Sequence, residues 1–222
     1  MKNSLNQYTG FLTPSQTAKG INAAAANAKR LADDAKILYD AGRFPSAASL
    51  AILALEELGK ISILRQSLLA NSKTDLAECW RRYRRHTEKN YLTLLPDLLR
   101  LGARKLDDFK SIFTNESQSD RATYDTVKQL GFYTDCCGAA HWSIPSEVID
   151  QGLAGLLLAL ATALATNKES VTVDELLLWK IHMRNGIGAE NLLKWCSAMI
   201  VAGLKPPEYL EEMRQFIQQS EA

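Results

Sequence analysis

From about residue 15 onward, apolar positions recur at steps of three and four, and no run alternates with a period of two for long enough to make a sheet of consequence. The pattern predicts helices nearly throughout. The first, over residues 15 to 41, is alanine-rich and closes at "AGRFP", 41 to 45. Pro45 suits the first turn of a second helix that runs to about Ala70. "NSKTD" separates it from a third, about 75 to 100, which Pro96 kinks or ends. The polar stretch "NESQSDRA", 115 to 122, reads as a loop or a helix start, and a helix follows to about Thr134. In the turn-rich link "DCCGAAHWSIPSE", Pro145 opens an apolar helix over roughly 146 to 166. After "NKESVTVDE", three shorter amphipathic segments end the chain, separated at Gly186 to Gly188 and at "KPPE", 205 to 208.

These elements predict an all-α antiparallel bundle with additional C-terminal helices. We divide it into an N-terminal segment, 1–19, a bundle over 20–166, and a helical extension over 167–222 packed on the bundle. Charge adds one exclusion. A net charge of +1 argues against a protein that coats polyanions, although local basic patches remain open. Cys79, Cys136, Cys137 and Cys196 form no CxxC pair, which points to free thiols in a reducing cytoplasm and to no metal centre. The N-terminus has no apolar core of a secretory signal. The run "GLAGLLLALATALAT" falls short of the roughly 20 residues that span a bilayer. The expectation is a soluble cytoplasmic protein with no membrane partner.

The second helix contains an anomaly. "AILALEELGK", 51 to 60, is apolar until Glu56 and Glu57 interrupt it. Leu50, Leu53, Glu57, Ile61 and Leu64 share a face by helical spacing, so the spacing buries Glu57 and leaves Glu56 to pair with Lys60 at the surface. A buried carboxylate without partners costs several kcal/mol, so Glu57 needs a partner or must be neutral. The third helix, "CWRRYRRHTEKNY", supplies candidates: Cys79, Arg82, His86, Lys89 and Thr93 share one polar face, with Arg81 and Arg85 to its side. Three readings follow: a buried network that fixes register, a solvated basic face, or a functional acid, imidazole and cation cluster.

The combination of "SAASLAILALEELGK", "RRHTEK" and "KQLGFYTDCCGAAHWSIPSEVI" resembles the AbiV abortive-infection family of the HEPN superfamily, over about residues 20 to 150. The family pattern has a Glu-Glu-x-Gly-Lys element, here Glu56 to Lys60, then His-x-x-Lys, here His86 to Lys89. Its third motif, Arg-x-x-x-Leu-Tyr-Val-Asp, is altered: Tyr133 and Asp135 are kept, Phe132 and Thr134 replace Leu and Val, and Lys128 stands roughly where the arginine belongs. Four residues separate Arg81 from His86, which fits the Arg, four to six residues, His spacing of many HEPN proteins.

The resemblance implies a HEPN-like bundle and an antiphage effector that shuts down translation by metal-independent RNA cleavage or by RNA or ribosome binding. His86 would be base or acid, with Arg81, Arg82 or Lys89 stabilising the charged phosphorane and Glu57 orienting the histidine. Tyr133, Asp135, Lys60 and Arg85 would bind substrate. It further implies a homodimer, a phage-encoded activator and no cofactor. The alternative is a non-catalytic helical binder of a phage protein or translation component, its polar cluster purely structural.

The remaining features read as structure. Tyr133 and Asp135 could equally be a core tyrosine and a capping aspartate. His141 has no second metal ligand nearby in sequence. Trp80, Trp142, Trp179 and Trp195 read as core residues, and the apolar segment 189 to 203 as core before interface. Gly186-Ile187-Gly188 is not a phosphate loop, since no strand precedes it.

Overall fold

The computed structural model describes residues 7–85, 127–137, 140–166 and 169–221. Its described helices are α1 (Pro14–Asp40), α2 (Phe44–Ser67), α3 (Lys73–Arg84), α4 (Pro145–Val148), α5 (Gln151–Ala165), α6 (Val173–His182), α7 (Ala189–Val201) and α8 (Glu208–Glu221). Residues 127–132 are also helical, and a two-stranded antiparallel hairpin, β1 (Asp135–Cys137) and β2 (His141–Ser143), completes the set. The described residues are all-α apart from that hairpin, which occupies the link expected to be mere turn. None of the described helices is long and apolar enough to cross a membrane.

Local chemistry explains the helix ends. Thr13 and Gln16 form a capping box at the start of α1: the Gln16 amide donates to Thr13 Oγ1 (3.2 Å) and the Thr13 amide to Gln16 Oε1 (2.9 Å). Ser72 and Asp75 do the same for α3, at 3.0 and 3.1 Å. At the far end of α1 the Arg43 amide reaches the Leu38 carbonyl and the Gly42 amide that of Tyr39. This closure needs a left-handed residue, and Gly42 supplies it at φ 72°. The apolar helix begins later than its hydrophobicity suggests. Ile149 is extended, and Asp150 caps α5 by accepting the Leu153 amide at 2.8 Å, so Pro145–Val148 stays a separate turn.

The chain divides into two compact units. One comprises 22–62 and 85–169. Its core joins Ala28, Ala32 and Ala35 of α1, Ala48, Ala51 and Ala54 of α2, and Ala154 and Ala161 of α5, all buried, with Ile52, Leu55, Leu58 and Leu157 between them. Alanines at such positions let helix backbones approach closely, while each large aliphatic side chain adds roughly 1.5–3 kcal/mol of burial.

The other unit comprises 1–21, 63–84 and 170–222. Its aromatic core packs Trp179 edge-on to Trp195 (5.3 Å between centroids) and Trp195 against Tyr209 (6.3 Å), around Met183, Cys196 and Met199. The Arg65 guanidinium lies 5.3 Å and 5.8 Å from the centroids of the Trp179 and Trp195 rings and bonds the Glu175 carboxylate. The N-terminal segment is tied to α3 in the same unit. Trp80 Nε1 donates to the Gly10 carbonyl (3.1 Å), and Arg84 to that of Tyr8 (2.5 Å).

Candidate functional site

The two adjacent glutamates divide the opposite way from their spacing. Glu56 is the buried one, 2% exposed, and its Oε1 lies 2.8 Å from Lys128 Nζ, itself buried on helical residues 127–132. Glu57 is only partly buried and bonds Lys60 across one turn at 2.5 Å, both side chains being under a fifth exposed. The expectation of a buried Glu57 and a surface Glu56 is therefore wrong. The stripe of large residues misled: of its members only Leu64 is buried, Leu50, Leu53 and Ile61 are half-buried, and the alanines with Ile52, Leu55 and Leu58 are the interior positions. A helix apolar almost all round has no unique face to be found by its leucines.

Further contacts hold Lys128 in register. Ser49 Oγ donates to the Pro45 carbonyl (3.0 Å) and lies 3.3 Å from the Lys128 carbonyl, joining the start of α2 to residues 127–132. At Gly131 an added Cβ would sit 2.2 Å from Ser49 Oγ and 2.9 Å from the Pro45 carbonyl oxygen, so only glycine permits this approach. Two segments separated by about seventy residues thus meet through one buried ion pair, one hydroxyl and one bare Cα. The sequence signal for this contact is Lys128 itself, which stands near the arginine position of the third motif.

Past Gly131, Tyr133 is 62% exposed and is not a core residue. Asp135 is exposed too, accepts the Cys136 amide on Oδ1 at 2.7 Å, and faces Ser143 across the hairpin. Trp142, 67% exposed and paired with Cys136 across the strands, also departs from its expected core position. Trp179 and Trp195 are buried as expected.

The basic residues are placed as follows. Arg81 is exposed and grips Glu78 on its own helix, with Nε to Oε2 at 2.7 Å. Arg82 donates to Gln66 Oε1 at 2.6 Å. α3 ends at Arg84 and Arg85 is non-helical, and the rest of the expected third helix, to about residue 100, lies outside the described residues. Arginines crowded at a helix C-terminus complement its exposed carbonyls, so "RRYRR" is good chemistry for an end. His86 and Lys89 lie outside the described residues. Arg81 and Arg82 belong to the unit with α6 to α8; Glu57, Lys60, Arg85, Tyr133 and Asp135 belong to the unit with the alanine core.

Cys79, Cys136 and Cys196 are free thiols. Burial pushes the Cys79 thiol up, Arg82 pulls it back in part, and Glu78 and Asp75 add to the rise. Among the described residues no group of three histidine, cysteine or carboxylate side chains is placed to hold a metal.

No curated protein and no solved structure matches the chain significantly. The AbiV family model of HEPN proteins, in contrast, matches residues 16–166, a span that holds Glu56, Lys128 and every contact between them. The chain belongs to the AbiV family of abortive-infection HEPN proteins.

Proposed function

We propose that this protein is a cytoplasmic antiphage effector that shuts down translation by cleaving RNA without a metal, working as a homodimer released by a phage-encoded activator. The observation that carries the reading is the division of labour in Glu-Glu-x-Gly-Lys. Glu56 holds the fold through Lys128, while Glu57 and Lys60 stay together within reach of solvent. An acid–cation pair at such a place can orient a base or meet a phosphate.

In the proposed reaction His86 takes the proton from an RNA 2′-hydroxyl. That oxygen attacks the adjacent phosphorus, and the 5′-oxygen leaves with a proton, giving a cyclic phosphate and a 5′-hydroxyl. Arg81, Arg82 or Lys89 stabilises the phosphorane charge, Glu57 orients the histidine, and Tyr133, Asp135, Lys60 and Arg85 contact the RNA. One histidine provides half of an acid–base pair, which gives the dimer a chemical purpose.

The test is cleavage of total RNA by purified protein in EDTA, beside a folded His86→Ala variant, with the 3′ ends mapped. Cyclic-phosphate ends that vanish in the variant support the reading. Intact RNA from both proteins, with a candidate activator present, moves it to a non-catalytic helical binder of a phage protein or translation component. That second reading has an observation in its favour: Glu56, the first acid of the motif, is engaged in a buried pair with Lys128 that serves structure.

A further inference from the structure

Helix α6 buries one face through Leu176 and Trp179 and leaves another open. Val173, Leu177 and Ile181 follow one another at steps of four, and the last two are 44% and 66% exposed. Leu177 and Ile181 line a surface groove with Leu68 and Leu69, the two residues just beyond α2. Lys180 and Arg184 stand on the same groove, one turn apart. Both are exposed, and neither makes an ion pair among the described residues. Large apolar side chains in water beside two unanswered cations are not accounted for by the packing of this unit.

We propose that this groove docks an acidic amphipathic helix of a partner protein. Val173 to Ile181 covers about 12 Å of helix, at roughly 1.5 Å per residue, enough to face two turns of a second helix. Such a helix would set apolar residues at i, i+3 or i+4, and i+7 against Leu69, Leu177 and Ile181. Its flanking carboxylates would meet Lys180 and Arg184 at the edge of a drying interface, where charge-assisted bonds are strong. The walls formed by Leu68 and Leu69 make the surface concave, which suits a helix better than a flat bilayer. Its α6 half lies beyond residues 16–166, so the groove is built largely outside the span that the family model covers.

The test uses the full chain and two fluorescein-labelled helical peptides of roughly 16 residues, leucines at the spacing above. One carries glutamates beside the leucines, and the other lysines. Fluorescence anisotropy should show the glutamate peptide binding and the lysine peptide not. Ile181→Glu should weaken the former by about tenfold or more, and the double variant Lys180→Glu, Arg184→Glu should reverse the preference. All three positions are exposed, and circular dichroism confirms that the variants fold. Failure of the glutamate peptide to bind, or binding indifferent to these changes, overturns the proposal. So does Ile181-dependent binding to phosphatidylserine vesicles in place of the peptide, which would make the surface a membrane contact. Ile181-dependent self-association in sedimentation would overturn it in favour of a second copy of the chain.

Discussion

Lys128 Nζ sits 2.8 Å from Glu56 Oε1, and the two residues, 72 positions apart in the chain, are both buried. Removing either charge takes away the other's buried ion-pair partner. Glu56→Leu or Lys128→Met should each lower unfolding free energy by about 3–5 kcal/mol, while the pair Glu56→Leu, Lys128→Met should recover much of that loss. Urea denaturation of the four proteins measures it. Additive single losses would mean that the two side chains are not coupled.

Glu57 should behave differently from its neighbour. Its bond to Lys60 spans one helical turn between side chains under a fifth exposed, so Glu57→Gln should cost about 1–2 kcal/mol, less than the loss of Glu56. Loss of antiphage protection in that folded variant, scored by plaque formation, would locate activity at the solvent side of the motif. Full protection would remove Glu57 from the proposed reaction.

Gly131→Ala should destabilise the protein by about 1–3 kcal/mol through overpacking. Adding Ser49→Ala should not restore stability, because the Pro45 carbonyl oxygen would still lie 2.9 Å from the new carbon. Thermal melts of the single and double variants distinguish a clash with backbone from one with a movable hydroxyl.

Around Arg65, the flat guanidinium serves the Glu175 carboxylate and two indole faces together. Arg65→Lys keeps the charge but loses the planar stacking, so it should still cost about 1–2 kcal/mol. Trp179 and Trp195 lie beside it, and a change in intrinsic fluorescence should accompany the loss in denaturant titrations.

Alkylation should rank the thiols. Cys136 is exposed and should react first, and Cys196, fully buried, only on unfolding. Cys79 should react slowly at neutral pH, since burial favours its protonated form, and its rate should climb at higher pH than that of an ordinary thiol. Arg82→Ala removes the group that opposes this rise and should slow Cys79 further. Peptide mapping by mass spectrometry gives each rate.

The helical fold was legible because its boundaries are written in local chemistry. "AGRFP" ends α1 through Gly42 and admits Pro45 to the first turn of α2. The site was less legible, because its central fact is a contact between segments far apart in sequence. Spacing could rank faces of α2 only by the size of their apolar residues, and α2 buries large and small ones alike, Ile52, Leu55 and Leu58 beside Ala48, Ala51 and Ala54, while Leu50 and Leu53 are only half-buried. Resemblance named the family and its Glu-Glu-x-Gly-Lys element without saying which glutamate would be buried. The hairpin was missed for a similar reason, since three-residue strands are too short to show alternation.

The alanine seam of α1, α2 and α5 has a consequence for how this protein can drift over generations. Where buried positions are filled by the smallest side chain, a neighbour cannot shrink to make room for one that grows. A methyl group added at Ala48 or Ala51 would push backbones apart close to where Ser49 and Gly131 set the reach of Lys128 toward Glu56. Variation there should be sparse and correlated with changes at the ion pair, so that an alanine-lined interior acts as the gauge for the buried Glu56–Lys128 contact.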